Sequence, residues 1–341
     1  WDVGTVPLRL VAAGILAANA HNAQAWRFAV GPRRIDVRDD VSRSLGTVDA
    51  FRREIHLSAG CAIENVALAA GAAGFVPTVT LTPTGDPALL ARIDLAPDPS
   101  VQASELYRAI PLRHTDRFAY ESGRELPADV VRGMSGLVDR PDVRVLWLVG
   151  PAERTAFATL TVAATEAFIG DAQQSQDDYD WYRSTSTEIQ THRDGVTADA
   201  AGLSPLLRSL GKLIPASQAS NNSYWLAGTR DRQLPTASGF AVILVRDAAD
   251  VAQRLGAGRV YQRMHLWATT RGMAMQPLNQ IVERAERERV LGGAGPIGRG
   301  LTALVADPAW QPVMPFRIGY PTTAAPASPR RAMADVVVGA P

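Results

Sequence analysis

The chain has 341 residues, of which 46% are hydrophobic and 20% are charged. This composition excludes a disordered or fibrous protein, and the length allows two folded units of ordinary size. The 35 basic and 34 acidic residues leave a net charge of +1, too small to attract nucleic acid or an anionic membrane from a distance. We therefore expect small-molecule partners, no nucleic acid and no membrane.

Cysteine content and hydropathy indicate the cell compartment and exclude some kinds of site. Cys61 is the single cysteine, so the chain forms no internal disulfide and no thiolate metal cluster. No charged segment followed by an apolar core opens the sequence, and no apolar run of about 18 residues is free of charges. A cytoplasmic protein is predicted.

Hydrophobic spacing predicts a first half over residues 1–105. Apolar residues three and four apart indicate helices, and alternation indicates strands. In chain order the predicted elements are a helix at Val6–Ala18, a hairpin around Trp26–Val37, a helix at Phe51–Ala73, and strands at Thr78–Thr82 and Ala91–Leu95.

A second half is predicted over residues 106–341. Its elements are helices at Pro127–Leu137, Pro151–Ile169, Ala248–Arg271 and Leu278–Val290, with strands at Val143–Val149, Phe240–Arg246 and Phe316–Tyr320. Because helices outnumber strands and the strands come as hairpins, we predict the α+β class, with helices packed on a mostly antiparallel central sheet.

The two halves share a weak internal echo. Four residues at the end of one long predicted helix recur 198 positions later at the end of another: Leu68, Ala70, Gly74 and Phe75 correspond to Leu266, Ala268, Gly272 and Met273. Chance is one explanation. The other is a duplicated unit, folded as a pseudo-dimer within one chain.

A polar segment with embedded aromatic residues covers 171–238. Loops of this length are usually functional or disordered. We favour a lid over a cleft, with a short amphipathic helix at Leu203–Ile214, against a plain surface excursion. The acidic group Asp177, Asp178 and Asp180 in this segment is expected to be a solvated face.

Two kinds of familiar motif lack the sequence context that their function requires. Gly293, Gly295 and Gly298 match the dinucleotide spacing G-x-G-x-x-G, but no predicted strand precedes them and no acidic residue lies about 20 positions on, so a flexible loop is expected. The five histidines lack H-E-x-x-H spacing, and no G-x-S-x-G turn occurs. Metal and nucleophile sites are therefore not predicted.

Two arginine clusters suit a phosphate group. Arg113, Thr115 and Arg117 alternate, which in an extended segment places two guanidinium groups and a hydroxyl on one side. Arg330 and Arg331 follow a proline-rich stretch near the other end. The alternative in each case is a set of solvated surface arginines.

An amide-rich stretch lies between the first helix and the first strand. It contains His21, Asn22 and Gln24, and amides both donate and accept hydrogen bonds, as the carbonyl and imide edge of a flavin ring requires. An ordinary loop leaving a helix is the alternative.

Together these segments resemble the nitroreductase family of FMN-binding flavoproteins. Residues 19–28 are similar to its A-P-S-x-H-N-x-Q-P-W-R-F segment, 113–117 to its R-x-S-x-R phosphate motif, 272–278 to the segment that follows its long helix, and 317–331 to its C-terminal phosphate-binding stretch. Because one complete set is spread over both halves, the chain resembles the duplicated single-chain branch typified by mycobacterial Acg-type proteins.

The resemblance implies a set of site residues. It places the phosphate against Arg113, Thr115, Arg117, Arg330 and Arg331, and the flavin ring against His21, Asn22, Gln24, Met275, Gln276, Pro277 and Leu278. The sequence departs from the family pattern at Asn19, Ala23 and Ala25, where serine, threonine and proline are usual.

The implied function is an FMN-dependent oxidoreductase that passes electrons from NAD(P)H to a nitro compound or a quinone, with the hydride chemistry belonging to the cofactor. No catalytic acid or base is nominated. The alternatives are a protein that stores FMN beneath its lid, and a decayed pocket that binds no flavin. An internal pseudo-dimer needs no partner chain, although Val336–Val338 offers an edge strand for weak self-association.

Overall fold

The protein is described by a computed structural model covering residues 4–203 and 216–339. The described helices are α1 Val6–Gly14, α2 Arg53–Ala72, α3 Glu105–Ala109, α4 Ala128–Ser135, α5 Pro151–Gly170, α6 Ala172–Tyr179, α7 Ser186–His192, α8 Gln218–Gly228, α9 Leu234–Thr236, α10 Val251–Thr270, α11 Gln280–Val290, α12 Pro296–Val305 and α13 Met333–Val336. The strands are β1 Trp26–Val30, β2 Arg34–Asp39, β3 Phe75–Leu81, β4 Leu89–Pro97, β5 Val143–Leu148, β6 Tyr182–Arg183, β7 Val196–Thr197, β8 Gly239–Val245, β9 Ala274–Pro277, β10 Gln311–Gly319 and β11 Val337–Val338.

The long strands form two sheets, of five and four strands. The first has the order β11-β1-β2-β4-β3 and the second β5-β8-β10-β9. All pairs in them are antiparallel except β1 with β11. The apolar strand β8 is buried along its whole length because it lies between two neighbours and beneath helices. The α+β class with mostly antiparallel strands is confirmed, and the strands divide between two sheets.

Two 20-residue helices, α2 and α10, cross at the centre of the molecule. A Cβ atom added to Gly60 would lie 2.2 Å from the carbonyl oxygen of Leu255, and one added to Gly258 would lie 2.0 Å from that of Leu57. Only glycine permits this approach of the two backbones. Gly258 follows Gly60, and Leu255 follows Leu57, by 198 residues, the same offset as the internal echo of the sequence.

Helix α2 is also the described helix that is long and apolar enough to cross a membrane. Within its most apolar window, 78% of the residues are buried inside the protein. Its hydrophobicity is therefore accounted for by packing against α10 and the first sheet.

The polar segment 171–238 is more ordered than a loop. It contains α6, α7 and α8 within its described residues, and the predicted helix at Leu203–Ile214 lies, apart from its first residue, outside the described residues. The expectation of a solvated acidic face is wrong for Asp178, which is 7% exposed and hydrogen-bonds to His21. Asp177 accepts hydrogen bonds from the backbone and hydroxyl of Thr47.

The C-terminal tail crosses back to the first sheet. Val337 and Val338 pair with Phe28 and Ala29 of β1, so the edge that Val336–Val338 offered to a neighbour is used within the chain. The tail belongs to the predicted second half, residues 106–341, whereas the other strands of this sheet belong to the first half, residues 1–105. The tail therefore links the two predicted halves.

The glycine-rich stretch near residue 295 is a loop that leads into a helix. Gly293 and Gly295 lie in a loop, as expected, whereas Gly298 belongs to helix α12, which begins at Pro296. The Glu288 carboxylate accepts hydrogen bonds from the backbone N–H groups of Ile297 and Gly298. A carboxylate and a first-position proline therefore start this helix, so no nucleotide phosphate is needed there.

Candidate functional site

A cavity made of two adjoining lobes lies beside the crossing of α2 and α10. The larger lobe has about 1250 Å³ of empty space and the smaller about 410 Å³, in each case including the opening to solvent. Both are lined by Asn19, Thr115 and Arg117. The amide-rich stretch and the first arginine cluster therefore meet at one site.

Three guanidinium groups line the smaller lobe, from Arg113, Arg117 and Arg330. Burial lowers the pKa of Arg113 and of Arg117, and burial together with the charge of Arg113 lowers the pKa of Arg330 to about 9. Within the described ranges, no ion pair joins any of the three to a carboxylate. They bind backbone carbonyl groups instead, Arg113 that of Leu16 at 3.0 Å and Arg117 that of Ala200 at 3.2 Å.

Such a cluster is unfavourable unless an anion neutralises it, because buried charges are normally paired. Arg113 makes the need specific: its Nε and Nη1 atoms are buried and have no hydrogen-bond partner. The smaller lobe is thus suited to a phosphate or carboxylate group.

The amide-rich stretch places its three predicted residues differently, although all three have positive φ angles of 48° to 52°. His21 lines the larger lobe and Asn22 the smaller. Asn22 orients Arg330, whose Nη1 donates to its Oδ1 at 2.8 Å. Gln24 lies behind the wall, because its amide donates to the carbonyl of Arg193 and accepts from the backbone N–H of Arg331.

Strand β9 and the residue after it divide between the cavity and the core. Gln276 and Pro277 line the larger lobe, whereas Met275 and Leu278 are packed in the hydrophobic core and do not line either lobe. Gln276 is held by Arg317, whose Nε donates to its Oε1 at 2.6 Å.

Arg331 is the predicted phosphate ligand that lies outside both lobes. Its guanidinium group donates to Asp40 at 3.3 Å and to the carbonyl of Gln24. A carboxylate partner therefore already neutralises its charge.

Several lining residues were not predicted from sequence. The polar segment supplies aromatic and polar side chains to the larger lobe, and the helices α2, α10 and α11 supply others. The main ones are Asp178, Tyr182, Asn221, Tyr224, Trp225, Glu54, Ser58, Tyr261, Gln280 and Glu283. The embedded aromatics signalled the first group, but nothing in the sequence distinguished the buried glutamates from surface ones.

His21 forms an ion pair at the wall of the larger lobe. Its Nε2 donates to Asp178 Oδ1 at 2.7 Å. Burial alone would lower the pKa of His21, but the hydrogen bond to Asp178 and its charge outweigh this and raise it. The protonated imidazole then has a second N–H, at Nδ1, which is buried and without a partner.

The buried polar atoms without hydrogen-bond partners indicate which kind of ligand the cavity can bind. Besides Arg113 and His21, the Tyr261 hydroxyl and Asn279 Oδ1 are buried without partners, and both residues line the larger lobe. A molecule with an anionic end and a polar, partly apolar body would satisfy them. The described residues contain no group of three side chains arranged to hold a metal ion.

Comparison with known proteins agrees with the sequence motifs. The chain is 27% identical to two Mycobacterium tuberculosis proteins, "Putative NAD(P)H nitroreductase Rv3131" and "Putative NAD(P)H nitroreductase MT3217", over 98% of this chain and 92% of each relative. No protein-family model matches. These relatives confirm the resemblance to the nitroreductase family.

Among solved structures, the FMN-dependent nitroreductase NfnB from Mycobacterium smegmatis has a TM-score of 0.44 and 17% identity, over 68% of this chain and 96% of that one. A nitroreductase with bound FMN from Bacteroides fragilis has a TM-score of 0.39 and 14% identity, over 67% of this chain and 95% of that one.

Proposed function

Starting from that resemblance, we propose that the chain binds FMN in the two-lobed cavity and passes electrons from NAD(P)H to a nitro compound or a quinone. The observation that carries the proposal is the group formed by the buried Arg113 and the half-buried Arg117 and Arg330. None of the three has a carboxylate partner among the described residues, and the group adjoins a lobe with room for a planar ring system. When bound, FMN supplies hydride transfer.

The residues present divide the binding between the lobes. Arg113, Arg117 and Arg330 hold the phosphate, with Thr115 adding a hydroxyl. His21 and Gln276 face the ring. A protonated His21 on the wall also favours negative charge that develops on the bound molecule during reduction. Asn22 contributes by orienting Arg330. Gln24 contributes by binding the C-terminal tail at Arg331.

We further propose that the chain folds as a pseudo-dimer of halves 1–105 and 106–341, with the polar segment as its lid, in the cytoplasm, where NAD(P)H is available. The matched glycine contacts of α2 and α10 support the pseudo-dimer. A monomer then contains a complete cavity.

Fluorescence titration with FMN and with riboflavin tests the binding proposal. Arg113→Met should weaken FMN binding by about 10- to 100-fold, the range expected for a charge-assisted hydrogen bond, and leave riboflavin binding unchanged. Without flavin, the variant should be at least as stable as the wild type, because a buried unpaired charge is removed. Arg246→Met is the control, since Arg246 packs over Trp310 away from the cavity.

Turnover is measured separately, with NADPH and a nitro compound or quinone. Oxidation of NADPH that depends on the acceptor supports the oxidoreductase. Tight FMN binding without NADPH oxidation would indicate storage, and a preparation that takes up no FMN would overturn both.

A further inference from the structure

Four buried carboxyl groups surround one guanidinium group beneath the larger lobe. The guanidinium belongs to Arg53, which is fully buried, and the carboxyl groups belong to Asp49, Glu54, Glu283 and Glu286. Arg53 Nη2 donates to Glu54 Oε1 at 3.0 Å, and its Nε donates to Glu286 Oε2 at 3.1 Å. Its Nη1 donates to the carbonyl oxygen of Val313 at 2.8 Å.

One arginine does not neutralise four carboxylates. Arg289, 3.5 Å from Glu286, adds one exposed cation at the edge of this cluster, and the charge of Arg254 also acts on Asp49 and Glu286. Asp49 accepts hydrogen bonds from the backbone N–H groups of Glu54 and Ile55, yet burial and the charge of Glu54 raise its pKa to about 7. Among the described residues, no ion pair involves Glu283. Buried carboxylates in excess of their cations take up protons.

Glu283 interacts with the side chain of Glu54. The two residues are 5% and 2% exposed, and a hydrogen bond between two carboxyl groups, one of the causes that raise the pKa of Glu283, needs one proton between them. Burial, the charge of Glu54 and this hydrogen bond raise the pKa of Glu283 well above its ordinary value, although Arg53 opposes the shift and Asp178 adds to it.

The pair lies at the surface of the cavity. Glu54 and Glu283 both line the larger lobe, together with His21, Asp178 and Tyr261. The Tyr261 hydroxyl is an independent sign of a ligand in the same lobe, because it is fully buried and has no hydrogen-bond partner among the described residues.

We propose that Glu54 and Glu283 share one proton at the cavity wall and that Glu283 donates it to the electron acceptor during reduction. The proposal rests on the proposed function. Reduction of a quinone to a hydroquinone consumes one hydride and one proton. NAD(P)H provides the hydride by way of the cofactor and becomes NAD(P)+, and the O–H bond of Glu283 breaks as the O–H bond of the product forms. Water entering the open lobe then reprotonates the pair.

Infrared spectroscopy of the flavin-free protein tests whether the proton is there. At neutral pH the wild type should show the C=O band of a protonated carboxyl group, and Glu283→Gln should lose the intensity of one carboxyl group. Glu64→Gln is the matched control, because Glu64 is a buried glutamate of α2 that is paired with Arg259 and Arg263 and so should contribute no such band.

Stopped-flow kinetics of the FMN-loaded protein tests the use of that proton. Glu283→Gln should slow reduction of the quinone by at least about 100-fold, within the range for general acid catalysis, and should slow reduction of the flavin by NADPH far less, because hydride transfer to the flavin takes no proton from Glu283. Asp49, whose pKa burial raises to about 7, contributes to the band in both proteins; a carboxyl band of undiminished intensity in Glu283→Gln, or unchanged quinone reduction, would overturn the proposal.

Failure of the proton-donor proposal can be distinguished from failure of the FMN-binding proposal. FMN titration of the same variants reports the cofactor site independently of the infrared band. If Glu283→Gln does not fold, titrating the wild-type band with pH decides the question: part of the band must remain above the pKa of Asp49, which is about 7, and complete loss of the band with Asp49 would overturn the proposal.

Discussion

Replacing Gly60 by alanine should force the central helices apart. In a helix interior alanine is favoured over glycine by about 1 kcal/mol. The added methyl group, however, would lie 2.2 Å from the carbonyl oxygen of Leu255, against 3.4–4 Å for an ordinary contact. A backbone atom has to move by more than an ångström, so the overpacking cost is at the upper end of about 1–3 kcal/mol. The net loss of stability is about 2 kcal/mol.

Urea denaturation followed by circular dichroism measures this loss, and Gly71→Ala is the matched control. Gly71 lies on the same helix, and its added Cβ would meet Val101 at an ordinary 3.4 Å. That variant should gain up to about 1 kcal/mol, because only the helix propensity changes. Equal stability of the two variants would refute the reasoning. Gly60→Ala should also weaken FMN binding, since Leu57 and Gly258 at the crossing line the cavity.

Backbone geometry and two histidines give three further expectations. Gly202 has a φ of 73°, and a Cβ there would lie 2.4 Å from a carbonyl oxygen beside the smaller lobe; Gly202→Ala should weaken FMN binding about tenfold by equilibrium dialysis, whereas Gly123→Ala, with a φ of 74° and open surroundings, should not. Asp178→Asn removes the partner that raises the pKa of His21. The stabilisation it supplies is complete below pH 6.5 and is lost as the pH rises through the higher folded-state pKa, so urea unfolding should show the larger defect at acid pH. Burial and two neighbouring arginines lower the pKa of His56 to about 4, so the stability that neutral His56 contributes is lost as the pH falls from 6.5 to about 4. The free energy of unfolding of the wild type should therefore decrease relative to that of His56→Gln over this interval. A constant difference would contradict the assignment.

Sequence patterns were most informative where the periodicity is long and regular. The predicted helices at 51–73 and 248–271 match α2 and α10 to within three residues at each end, because uninterrupted apolar spacing leaves few alternatives. Short elements were less accessible. Strand β9 has four residues, and helix α12 is preceded by glycines that resemble a loop.

The site was predictable where residues of one kind are close in the chain. Arg113, Thr115 and Arg117 were found from their alternation, and His21 from its amide neighbours. Gln24 and Arg331 had the right chemistry but bind each other, a contact across 307 residues that no local pattern encodes.

The α+β class, the two long helices, the lack of an internal disulfide and the arginine clusters could all be read from the amino-acid order, because composition and periodicity are local properties. Only the packed chain shows which described arginines lack a carboxylate partner and which glutamates share a buried cavity wall. Burial, and with it the cost of an unpaired charge, arises only when distant segments pack together, as Glu54 and Glu283 do across 229 positions of the chain.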